Sequence, residues 1–173
     1  MTVRNYIDIL EGTFVLRCLL PWQENLKKRQ VKSPKLYLKD SGLFHWLMSI
    51  ENFEQLTGHP KLGASWEGFA LEHVIHIFRT RDAYFWATHA GAELDLMVTI
   101  AGKRHGFEFK YTDAPGGKRS MHTAIEDLGL EHLWVIYPGD QKYALNNKIT
   151  VIQLDLISQL VGTGLDVQKN SAT

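Results

Sequence analysis

A single cysteine, Cys18, stands in 173 residues. No intramolecular disulfide can form, and a reducing cytoplasm is the compartment expected for such a chain. No excess charge of either sign exists: 19 basic residues balance 19 acidic ones. A global electrostatic attraction to nucleic acid is thereby excluded, so any such site must be a local patch. No apolar run approaches the roughly 20 residues that span a bilayer, and the opening TVRNYIDILEG reads as an amphipathic helix rather than a signal peptide. No membrane association is expected. A phosphate loop is missing too. Gly102-Lys103 and Gly117-Lys118 each lack the glycine five positions upstream, where Met97 and Thr112 stand, and Arg104 and Arg119 replace the required Ser or Thr. ATP is therefore not an expected ligand. His73 and His76 lie three apart beside Glu72, the wrong order and spacing for a zincin helix.

What is present is a globular composition, 45% hydrophobic and 22% charged, enough for one sizeable core. TVRNYIDIL reads as a short helix ending at Gly12, with Val3, Tyr6, Ile7 and Leu10 on one face. TFVLRCLLPW reads as a strand stopped by Pro21, and GLFHWLMSI as a helix capped by Asp40 or Ser41. ENFEQLTGHPKLG is a short helix and a loop, the expected boundary. A long helix, SWEGFALEHVIHIFRT, is expected to start at an N-cap Ser65 and to bury Trp66, Ala70, His73, Val74, Ile77 and Phe78. Glu67 falls inside that arc, either favoured by the helix dipole in a first turn or pointed into a site. KRSMHTAIEDL reads as a helix, HLWVIYP and KITVIQL as strands, and DLISQL as a last helical turn.

The most informative stretch is GAELDLMVTIAGKRHGFEFKY, residues 91–111. Ala101-Gly102 breaks two alternating runs, so it reads as a β-hairpin pairing 100 with 103 and 99 with 104. Asp95 then lies across from Glu108, and Glu93 across from Lys110. Alternation places Leu94, Leu96, Val98, Phe107 and Phe109 on a core face, and Glu93, Asp95, Met97, Gly106, Glu108 and Lys110 on the other. Like charges directly opposed destabilise a sheet. Lys110 or a divalent cation is expected to offset them, unless the face is a solvated ladder of pairs. Ala-Gly is not a favoured type I′ pair, which leaves the register free to shift.

An acid in one strand, Glu-x-Lys in the next and an acid on a preceding helix resembles the PD-(D/E)XK nuclease superfamily. The matching positions are Glu67, Asp95, Glu108 and Lys110. LKKRQVKSPKLYLKDSGLFHWL, LGASWEGFALEHVI, GAELDLMV and FEFKYT, in that order, resemble the C-terminal domain of unknown function of prokaryotic AAA-type ATPases. The likeness covers roughly residues 2–160. It implies an α/β (α+β) chain, a restriction-endonuclease-like mixed sheet flanked by helices, preceded by a small winged-helix-like element. The expected divisions are 1–58, 59–161 and a disordered tail, 162–173. It also implies Mg²⁺ or Mn²⁺ on Asp95, Glu108 and the carbonyl of Phe109, with Lys110 positioning water. The literal Pro-Asp of the superfamily is absent, since Leu94 precedes Asp95. DNA is an expected partner, as is an ATPase domain or protein. Phosphate contacts are expected from Lys27, Lys28 and Arg29 in a basic loop and from Lys118 and Arg119. The alternative function is an inactive nuclease-fold module that binds nucleic acid or protein.

Overall fold

The computed structural model describes residues 2–23 and 30–162, with side chains to residue 160. Lys27, Lys28, Arg29 and the expected tail from 163 onward lie outside the described residues. The chain is a mixed α/β fold. Helix α1 (Val3–Gly12) leads into strands β1 (Leu16–Pro21) and β2 (Lys35–Leu38), then helices α2 (Ser41–Leu47), α3 (Phe53–Thr57) and α4 (Leu62–Phe78). Strands β3 (Ala83–Ala87), β4 (Glu93–Ile100) and β5 (Lys103–Phe109) follow, then helix α5 (Arg119–Leu128). Strands β6 (His132–Tyr137), β7 (Tyr143–Ala144) and β8 (Ile149–Gln153), a 3-10 turn over 154–156 and helix α6 (Ile157–Gly162) complete it.

One sheet of order β2-β1-β3-β4-β5-β6-β8-β7 runs through the whole chain. The β1–β2 hairpin joins it through a short parallel pairing of β1 with β3. Strands β5, β6 and β8 are parallel to one another, while β3, β4 and β5 are antiparallel. Helices α4 and α6 cover one face through Ala70, Leu71, Val74, Ile75, Ile157 and Leu160. Helix α5 covers the other through Met121, Ala124 and Leu128. Two-sided cover explains why HLWVIY has no polar alternation: every residue of β6 is buried.

Several sequence expectations are corrected. Helix α4 starts at Leu62 with Lys61 at its cap, three residues before Ser65 takes its place in the helix. Ser65 is buried instead, and its hydroxyl meets Nε2 of His45 on α2 at 2.6 Å. The buried stripe is Ala70, Leu71, Val74 and Ile75, while His73 is exposed. Glu72 of the same helix takes a two-pronged ion pair from Arg17 of β1. On α1, Val3, Tyr6, Ile9 and Leu10 stay exposed, so that face belongs to neither core.

From the turn outward the hairpin register is the expected one, with Ile100 opposite Lys103 and Thr99 opposite Arg104, but the ladder ends at Leu96 opposite Phe107, short of the expected pairs Asp95–Glu108 and Glu93–Lys110. Ala101 (φ 49°) and Gly102 (φ 77°) both take the positive φ that a tight two-residue turn demands, despite the side chain of Ala101. The face assignment holds only in part. Leu96, Val98, Phe107 and Phe109 pack under α4, but Leu94 packs with Met97 under α5. The cause lies on the other edge of β4, where Tyr84 faces Met97 and Trp86 faces Leu94. Between these pairs one residue of β3, Phe85, opposes two of β4, Asp95 and Leu96, a bulge that reverses the alternation at Asp95. The face expected to be charged is therefore mostly a second core.

Candidate active site

Four elements bring their ends together at one end of the sheet: the start of β2, the first turns of α4, the start of β4 and the end of β5. Asp95 and Glu108 both keep only 4% of their side-chain surface exposed. The bulge turns Asp95 so that Oδ2 accepts the backbone N–H of Phe109 at 3.0 Å. Lys110 bridges the two acids, with Nζ 2.7 Å from Oε2 of Glu108 and 3.4 Å from Oδ2 of Asp95. Glu67 lies in the second turn of α4, past the reach of a first-turn dipole effect. It is tied in by the N-terminal hairpin. Tyr37 of β2 donates its hydroxyl to Glu67 Oε1 at 2.6 Å. Lys35, also of β2, puts Nζ 3.6 Å from Glu67 Oε1 and 3.8 Å from Asp95 Oδ1. Three carboxylates and two ammoniums thus form one connected group.

Electrostatics follow from this packing. Burial, then the charge of Asp95, pushes the Glu108 carboxyl up to about 7, with Lys110 pulling the other way. Burial would lower Lys110, but Asp95 and Glu108 outweigh it and hold the ammonium well above its usual range. Burial and then Glu67 raise the Tyr37 phenol far above its ordinary value, so it remains a donor. Within this group Oε1 of Glu108 is buried and has no hydrogen-bond partner among the described residues. Such an orphan costs roughly 1–3 kcal/mol unless another group meets it.

Among the described residues, no three of His, Cys, Asp and Glu converge into a ready-made metal cage. The donor set fits a divalent cation in a different way. Two buried carboxylates, one with an unmet oxygen, together with waters or a main-chain carbonyl, match the oxygen-rich, partly hydrated shell that Mg²⁺ prefers.

Lys118 and Arg119 are exposed at the start of α5, which runs back from the C-terminal end of β5. They therefore belong to the same end of the sheet, yet no hydrogen bond or ion pair ties them to the Asp95 group. The residues that sequence reasoning missed are Lys35 and Tyr37. Both follow the basic loop in LKKRQVKSPKLYLK, and the signal was the alternation of KLYL, which puts Lys35 and Tyr37 on one face.

Two families of unknown function match successive stretches of the chain. Residues 1–54 match a domain of unknown function, DUF8612. An uncharacterised protein of Mycobacterium tuberculosis (strain ATCC 25618 / H37Rv) is 42% identical over 163 residues, covering 94% of this chain. An uncharacterised protein of Mycobacterium bovis (strain ATCC BAA-935 / AF2122/97) is similar to the same degree and extent. The chain spans 36% of the length of these relatives. No solved structure matches it. Residues 62–157, more than half of the chain, match the domain of unknown function DUF4143, and the chain belongs to that family.

Proposed function

We propose that the chain carries a metal-dependent phosphodiesterase site of the PD-(D/E)XK kind, acting on DNA. The observation that supports it is the pair Asp95 and Glu108, both buried, sharing Lys110, with one Glu108 oxygen unmet. Asp95, Glu108 and the Phe109 carbonyl would hold Mg²⁺ or Mn²⁺. A divalent ion there supplies charge neutralisation for a phosphoryl group and activation of water. Lys110 stays protonated, so its part is that of a cation, aligning the attacking water and offsetting charge that develops on the phosphoryl oxygens. It is too basic to be the proton acceptor. Glu67, pinned by Tyr37, completes the acidic side. Lys118 and Arg119 suit backbone phosphates, which give affinity without reading sequence.

A second reading has an observation of its own. Lys35 and Lys110 already balance most of the acidic charge, as expected of a site whose carboxylates remain only as structure. The domain would then be an inactive nuclease fold that docks nucleic acid or protein, an ATPase part included. In either reading we place it in the cytoplasm. Calorimetric Mn²⁺ titration of the wild type and Asp95→Ala, beside a plasmid-cleavage assay, separates the two. One-site binding that Asp95→Ala abolishes, together with cleavage, is expected. Absence of both heat and cleavage in the wild type would leave only the docking reading.

A further inference from the structure

Beside the acid group a cavity of about 400 Å³ opens between β2, α2 and the first turns of α4. Its walls are apolar and partly aromatic, from Leu36, Leu38, Phe44 and Phe69. Phe69 is 39% exposed and Leu36 46%, so the walls face solvent rather than either core. Two residues of its rim, Lys35 and Glu67, belong to the acid group as well. The cavity is thus continuous with the site and shares its nearest cation.

That combination matches one kind of occupant. Lys35 stands beyond hydrogen-bond distance from both carboxylates, 29% of its side-chain surface is exposed, and it lies over the Phe85 ring at 5.4 Å. Among the described residues no hydrogen bond holds its ammonium, which can turn toward an incoming anion. A nucleotide has both parts needed: a phosphate for Lys35 and a flat apolar ring for the aromatic walls, with polar edges that Glu67 and the Ser41 hydroxyl can meet. A base paired inside a duplex cannot enter such a cavity; an unpaired or extruded one can.

We propose that this cavity binds the unpaired base of the nucleotide whose phosphate lies against Lys35, which makes single-stranded or frayed nucleic acid the preferred substrate. The inference rests on the phosphodiesterase reading and extends it to substrate class. The test is fluorescence anisotropy of the full chain in Ca²⁺, with a labelled single strand of about twelve nucleotides and a blunt duplex of the same sequence. Single strand should bind about tenfold more tightly, a size set by stacking of one or two bases. Ala64→Trp, which fills the mouth from an exposed position of α4, should bring that ratio to about one while melting at the wild-type temperature. Moving one abasic position along the strand should weaken binding at a single place. Equal binding of both probes by the wild type, or a ratio that Ala64→Trp leaves intact, overturns the cavity's role yet spares the phosphodiesterase reading. No binding of either probe, with no Mn²⁺ heat, removes both.

Discussion

Replacing Glu108 by Gln should steepen the pH dependence of stability, and the size of the change follows from three buried groups. His105 and His132 lie side by side on β5 and β6, 1% and 4% exposed. Burial pushes both imidazoles down to about 4 from an ordinary 6.5. A histidine whose folded value is lowered stabilises fully above 6.5, and that contribution is lost as pH falls toward 4. Glu108 has the opposite sign. Its folded value is raised from 4.5 to about 7, so its contribution is complete below 4.5 and is lost as pH rises through 7. Near pH 5.5 the unfolded chain therefore holds about two more protons on the histidines, and the native chain about one more on Glu108. The net difference of about one proton gives wild-type stability a slope of about 1.2 kcal/mol per pH unit from these groups. Glu108→Gln removes the opposing proton, so the slope should roughly double, to about 2.4 kcal/mol per pH unit. The exposed carboxylates contribute alike to both proteins and cancel in the comparison. Urea melts in EDTA between pH 5 and 6 measure it. Equal slopes would show that Glu108 is ionised in the metal-free fold and would falsify the account of its burial.

Mn²⁺ binding should release about one proton at pH 6 and almost none at pH 8, because Glu108 must ionise to serve as a ligand; calorimetry in buffers of different ionisation heat counts them. Lys110→Ala should keep Mn²⁺ affinity within about threefold while cleavage falls at least about a hundredfold, since the proposed role lies in the transition state; tight binding with wild-type turnover contradicts that role. Gly106→Ala should cost about 1–3 kcal/mol in denaturant melts, because a Cβ there would sit 2.7 Å from Leu130 Cδ1 and 3.2 Å from both methyl groups of Leu94. Ala101→Gly should stabilise by up to about 1 kcal/mol by relieving a positive φ of 49°; a loss of stability would mean that the turn depends on that methyl group.

The pairing of β4 with β5 from the turn to Leu96 was legible because that stretch obeys local rules, whereas Asp95 meets Lys110 and Glu108 only through the bulge. A two-residue break fixes the register, and register fixes which side chains share a face. Leu94 was not legible, because the bulge that turns it under α5 is set by β3, whose pairing with β4 is not written in either strand. The start of α4 failed for a similar reason. Ser65 is a good cap by type, but His45 on another helix offers its hydroxyl a partner inside the structure, and the helix runs three residues further back. Tertiary contact outweighed local preference. Lys35 and Tyr37 escaped notice because β2 is four residues long, too short for its alternation to stand out from the basic loop before it.

Charge accounting links the two family segments of the chain to the proposed chemistry. The core segment supplies Glu67, Asp95, Glu108 and Lys110; the N-terminal segment supplies Lys35 and Tyr37. With no cation bound and Glu108 protonated below pH 7, the carboxylates of Glu67 and Asp95 face the ammoniums of Lys35 and Lys110, and the group is neutral. A neutral, partly buried cluster is the form that packing tolerates, since isolated charges are costly away from water. Entry of a divalent cation would ionise Glu108, and three carboxylates against two ammoniums and that ion would leave one positive charge. This is the sign a phosphate requires. Without the hairpin the same arithmetic loses Lys35 and ends neutral, so the N-terminal segment is the part that would make the site attractive to nucleic acid on a chain of zero net charge.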